Sequence, residues 1–149
     1  MRKSFIFLTF LLSLILLSYP LKVFMISDGV SKSVFLLGDV NVTIKYVHSV
    51  QRSEVIEVLK VNRSGIYAEE MRWRDFGAGL PEDIQSTENG YYVKKINIPL
   101  GESLDFWFIP LNSAEIWVNG KLVFSPRRET LVEFEVKECS LFEIAIGRC

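Results

Sequence analysis

His48 is the only histidine in the chain, and the carboxylates that the pattern sets near it mark the place where residue types point to chemistry. The run from Val42 to Val50 alternates, with Val42, Ile44, Tyr46, His48 and Val50 on one face and Thr43, Lys45, Val47 and Ser49 on the other. His48 thus falls on an apolar strand face. A hairpin symmetric about the Arg52–Ser53 bond would set Val50 against Val55, Tyr46 against Leu59 and His48 against Glu57. A second symmetric hairpin adds Glu70, giving one imidazole and two carboxylates in a row, which resembles a metal site only weakly. Two opposed carboxylates repel unless a proton or cation stands between them, and a register that brings Met71 opposite Glu57 is equally compatible. The structural reading is a buried imidazole–carboxylate pair that orders the sheet. The functional reading is a small-ligand or metal-binding pair that answers to protons. The first is expected, and no metal is assigned.

Three other groupings imitate active sites and fail on geometry. Ser49 adjoins His48, but neighbouring strand residues point to opposite faces, so the serine cannot hydrogen-bond that ring. Asp75-Phe76-Gly77 imitates a kinase element in a chain without the lysine strand or catalytic loop that such chemistry requires. In Phe76-Gly77-Ala78-Gly79-Leu80-Pro81, closely spaced glycines could bare backbone donors to an anion. No helix follows to reinforce them, and Glu82 and Asp83 oppose negative charge. A tight turn packed by Phe76 and Leu80 is expected there. With no nucleophile, base and orienting group on one face, the chain reads as a non-enzyme without a cofactor.

These residues need a sheet to hold them. Strand-like runs at Val42 to Val50, Val55 to Val61, Ile66 to Asp75, Leu104 to Ile109, Leu131 to Val136 and Leu141 to Ile146 alternate with turn signals. Asn89-Gly90 and Asn119-Gly120 each mark a two-residue hairpin. The expected fold is all-β: an antiparallel sandwich or small barrel of about 8–10 strands built from hairpins, behind one N-terminal transmembrane or signal helix. If Leu141 to Ile146 is a strand, Cys139 and Cys149 lie at its opposite ends, about 25 Å apart. A disulfide is then excluded, because it needs Cα atoms within about 7 Å.

The N-terminus bears on compartment. Arg2 and Lys3 precede an uncharged apolar run from Phe5 to Leu21. Continued across Lys22 to Ile26, it makes a helix of about 33 Å, enough to cross a hydrocarbon core. An uncleaved anchor is expected. The alternative is an exported, cleaved form, for which Ser27-x-Gly29 is the small-residue pair. Residues 1–27 are therefore assigned as signal-anchor, 28–40 as connector and first edge strand, and 41–149 as one extracytoplasmic β domain. That gives a single-pass protein of the cell membrane with its C-terminal domain outside the cytoplasm. The formal net charge of −1 leaves no basic face for phosphates, so nucleic acid is not expected as a partner.

The run "IKYVHSVQRSEVIEV", followed after one hairpin by "MRWRDFGAGLPED", resembles the family known as domain of unknown function 1850. The resemblance is firmest from Val42 to Pro81, through His48-Ser49-Val50, Glu57 and the Phe76 to Pro81 loop. Where the family commonly has Thr-Pro-Val, this chain has Ser53-Glu54-Val55, which bears on the turn and so on the His48–Glu57 register. The resemblance implies no catalytic residue. It implies association, since members are similar to small proteins encoded beside TAXI-type TRAP transporters, which import organic acids with an extracytoplasmic binding protein. The expected function is a non-catalytic, membrane-anchored accessory domain touching the transporter's membrane subunits or its substrate-binding protein.

Overall fold

The N-terminal apolar run divides into two elements. In the computed structural model, which describes residues 2–77 and 79–149, a helix α1 covers Arg2–Ser18 and a strand β1 covers Pro20–Ser27. This corrects the expected helix from residue 5 to 26. Its second half lies in a sheet, and no helix among the described residues is long and apolar enough to cross a membrane. Val23, Phe24, Met25 and Ile26 are all buried, so β1 is covered on both faces. A strand covered on both faces carries a continuous apolar run in place of alternation.

Ten further strands follow: β2 (Lys32–Leu36), β3 (Val40–Val47), β4 (Glu54–Asn62), β5 (Gly65–Trp73), β6 (Ser86–Glu88), β7 (Tyr91–Gly101), β8 (Ser103–Phe108), β9 (Glu115–Val118), β10 (Lys121–Phe124) and β11 (Thr130–Ser140). They form two antiparallel sheets, one of four strands in the order β2-β1-β11-β8 and one of seven in the order β10-β9-β3-β4-β5-β7-β6. The sheets face one another without closing into a barrel, so of the two expected architectures the sandwich is the one found. Both Asn-Gly hairpins are present, pairing Glu88 with Tyr91 and Val118 with Lys121. Positive φ at Asn89, Gly90, Asn119 and Gly120 is what that two-residue turn demands.

The core lies between the sheets. Phe24 and Ile26 of β1 and Val132, Phe134 and Val136 of β11 meet Val42, Ile44, Leu59, Ile66, Ile116 and Val118 of the larger sheet. Ring contacts run Phe24–Phe134–Phe106–Phe108–Tyr46 at centroid separations of 5.6–6.3 Å. Each aromatic pair adds about 0.5–1.5 kcal/mol to the area that it buries.

Leu141–Ala145 is a helix, α2, and not the expected strand. Ser140 caps it by accepting from the Glu143 amide, while the Glu143 carboxylate accepts from the Ser140 amide at 2.7 Å. The turn of helix brings the chain back, so Cys139 and Cys149 stand 5.7 Å apart at Cα and form a disulfide, overturning the expectation of free or intermolecular thiols. The bridge packs with Val23, Val34 and Ile144 as a second small core on the outer face of β1. Closing a loop of this length removes about 2–3 kcal/mol of unfolded-state entropy. Cys139→Ser with Cys149→Ser should therefore lower the urea-unfolding free energy by about that amount, and an unchanged midpoint would contradict the packing of α2 on Val23.

Candidate functional site

The strands set up two poles. One carries the end of α1, α2 and the turn Asn62 to Gly65, where the Lys22 ammonium donates to the Arg63 carbonyl at 3.1 Å. The other, about 27–30 Å away along the nine residues of β4, carries the turn His48 to Ser53 and the loop Arg74 to Gln85. Both stretches that carry the family resemblance, His48-Ser49-Val50 and Phe76 to Pro81, converge on this far pole.

The turn contains six residues, because β3 pairs with β4 from Val47 opposite Glu54. The cross-strand partner of Glu57 is then Ile44, not His48. The expected His48–Glu57 pair is thereby corrected: the register slides by four residues, an even number, so Glu57 keeps its inward face and loses only its partner. His48 leaves the strand and holds the turn instead. Its amide donates to the Ser53 carbonyl at 2.8 Å, its carbonyl accepts from the Arg52 amide at 2.9 Å, and its Nδ1 lies 3.4 Å from the amides of Val50 and Gln51. Arg52 takes a left-handed φ of 59° to close the turn. Glu70 stands opposite Val58 on the other face and pairs with Arg72, while Met71 occupies the place opposite Glu57. The row of one imidazole and two carboxylates does not form. Among the described residues no group of three His, Cys, Asp or Glu side chains is placed to hold a metal ion.

Glu57 acquires a different partner. The Tyr46 hydroxyl, two residues along β3 from Ile44, donates to Glu57 Oε1 at 2.8 Å. Burial raises the Glu57 carboxyl above its ordinary pKa, and the Tyr46 hydrogen bond opposes that only in part. Burial also pushes the Tyr46 phenol upward, with the neighbouring Glu57 charge adding to it. Across β4, β5 and β7 the inward row continues as Glu57, Met71 and Lys94. Lys94 binds Asp83 at 2.6 Å, and this bond draws the Asp83 carboxyl below the usual range.

The glycine loop docks onto the turn. The Gln51 side chain lies across Gly77, where a Cβ would fall 1.9 Å from its amide end, so any larger residue there would push Gln51 aside. Gly79 has the left-handed φ of 83°. Leu80 donates its amide to the Gly77 carbonyl at 3.0 Å and is buried against Val55 and Trp73. Phe76 stacks on Tyr92 at 4.5 Å with half its surface exposed, and Pro81 is half-buried. Ala78 lies outside the described residues. Within this seam Gln51 Oε1, Ser53 Oγ and Trp73 Nε1 are buried without a hydrogen-bond partner among the described residues. The far pole also exposes Val30, Val50, Ile84, Trp107 and Leu111, none of which sequence patterning singles out as a group. Val30, Val50, Ile84 and Leu111 lie on four separate connections and Trp107 near the end of β8, and only the strand order brings them to one end.

Two outcomes test this geometry. The Glu57 carboxyl, raised when folded, adds stability that is full below the unfolded carboxyl pKa and is lost as pH rises through the folded one. Glu57→Gln keeps an acceptor for Tyr46 and removes the charge, so its stability advantage over the parent should grow from pH 4 to pH 7 in urea titrations. A pH-independent difference would contradict the buried carboxyl. His48→Ala removes only long hydrogen bonds, so it should cost under about 1 kcal/mol, against about 3–5 for a broken buried charged pair.

A model of the family described as Domain of unknown function (DUF1850) matches residues 42–124, more than half of the chain. The match takes in nearly the whole seven-stranded sheet together with β8, and stops short of β1, β2, β11 and both helices. No curated protein and no solved structure matches the chain. The inward Glu57, the His48 turn and the Gly77 seam all lie within the matched segment, and on that match the chain belongs to the DUF1850 family, a domain of unknown function.

Proposed function

We propose that this protein is a non-catalytic accessory domain, anchored by α1 in the cell membrane with its sandwich outside the cytoplasm, that presents its far pole to a partner. One observation carries the reading: α1 is an apolar helix whose main packing contact is α2, and Ile6, Phe7 and Leu8 are 60–68% exposed. A helix that is apolar all round needs a core or a lipid phase to cover it, and the sandwich does not cover this one. The disulfide supports the outer compartment, since such bonds persist where the environment is oxidising. At the far pole, exposed apolar side chains flank the Gln51–Gly77 seam, a surface suited to protein contact. The partner proposed is a TAXI-type TRAP transporter for organic acids, through its membrane subunits or its extracytoplasmic binding protein.

A second reading, a small-ligand module, draws support from the raised Glu57 carboxyl beside Tyr46, with Lys94 in the same inward row. It no longer involves His48.

The two readings part in one experiment. Tagged full-length protein, solubilised from its native membrane, should retain the transporter subunits, and Val50→Asp with Phe76→Asp should lower retention about tenfold with the melting temperature unchanged. Equal retention by the variant, or no subunits with the parent, would overturn the accessory reading. A rise in melting temperature with organic acids, abolished by Tyr46→Phe, would favour the second.

A further inference from the structure

We infer that α2 and its surroundings form an amphipathic foot that rests in the headgroup–acyl boundary of the bilayer holding α1. The inference rests on the anchor reading above and adds a second, independent contact with lipid. Leu141, Phe142 and Ile146 are 40–54% exposed, although the disulfide and the Ser140 cap hold α2 in place. A structural helix turn of five residues would be expected to turn such side chains inward, and here Ile144 alone does so. The exposed trio is continuous with α1. A recess of roughly 750 Å³ between the two helices is lined by Leu14 and Leu17 on one side and Phe142 and Ile146 on the other. Ser18, Ser140, Glu143 and Arg148 edge the same recess, so apolar and polar side chains lie together where the helix meets the base of the domain.

The rim of that surface has the chemistry of a membrane interface. Tyr19, 62% exposed, follows directly on α1, and Lys22, Arg63 and Arg148 stand about the same pole, Lys22 paired with Glu102 at 3.2 Å and Glu138 beside it. Tyrosine and basic side chains at this depth meet phosphate headgroups, while apolar side chains below them meet acyl chains. The nearby carboxylate of Glu143 accepts from the Ser140 amide and hydroxyl in its own helix cap, and Arg148 stands in the same recess to offset its charge. Length gives the second argument. The 17 residues of α1 rise about 25 Å, short of a hydrocarbon core near 30 Å. A domain base seated in the interface brings the helix end below the headgroups and makes up that shortfall.

The test uses full-length protein in vesicles of phosphatidylcholine with about one-fifth phosphatidylglycerol, with and without brominated acyl chains. Leu11→Trp reports on the anchor, Phe142→Trp on the foot and Phe76→Trp on the far pole, each read against the parent's own tryptophans. Brominated lipid should remove about half of the added emission at positions 11 and 142 and none at 76. Quenching at 11 without quenching at 142 overturns the foot and leaves the anchor standing. Quenching at neither overturns the anchor and the foot together. A blue shift at 142 without quenching would show protein, not lipid, covering α2, and also overturns the proposal. Ile146→Trp repeats the reading should Phe142→Trp fail to fold.

Discussion

The pairing of β1 with β11 is the constraint on which the rest of the molecule depends. Residues Pro20 to Ser27 run antiparallel to Glu133 to Ser140, with β2 on the other side, so β1 is an inner strand of the smaller sheet. Its inward side chains Phe24 and Ile26 fill the space against the larger sheet, and its outward Val23 is covered by the disulfide and α2. Each such side chain contributes about 1.5–3 kcal/mol by leaving water. The same strand fixes where α1 stops and at which pole it leaves the sandwich. The N-terminal helix, the C-terminal helix and the far-pole loops therefore take their relative places from one strand.

The interior joins that strand to the candidate site. Packed rings lead from Phe24 through Phe134, Phe106 and Phe108 to Tyr46, whose hydroxyl meets Glu57 on the inner face of β4. A carboxyl in this setting needs a donor, and Tyr46 supplies it where the lone histidine does not. Beyond Glu57 the larger sheet outreaches the smaller one, and Leu80 closes part of the open end by packing on Val55 and Trp73. The glycine loop is thus a plug on the core as well as a wall of the far pole, with the Gln51 side chain laid across Gly77.

Legibility followed the physics of each element. Half-covered strands such as β3 and β4 alternate and were readable, as were the Asn89-Gly90 and Asn119-Gly120 turns, whose φ requirement is local. β1 was not, because Val23 to Ile26 is buried on both faces, and a continuous apolar run cannot be told from a helix by periodicity. The register of the first hairpin depended on where its turn is centred, and a six-residue turn centred on Val50–Gln51, in place of four residues about Arg52–Ser53, moved His48 out of the sheet. For α2 a signal was present: Ser140-Leu141-Phe142-Glu143 is a capping box, and reading it would have brought the two cysteines within reach. The convergence of the His48 turn on the Gly77 loop arises from strand order, which no local pattern encodes.

Thermal unfolding of two shortened chains tests the central strand most directly. A chain beginning at Pro20 keeps β1 and should melt in one cooperative transition near the temperature of the full protein. A chain beginning at Val30 lacks β1 and should show no cooperative melt, because the four-stranded sheet then loses an inner strand together with Phe24 and Ile26. A cooperative melt of that shorter chain at an unchanged temperature would contradict the account.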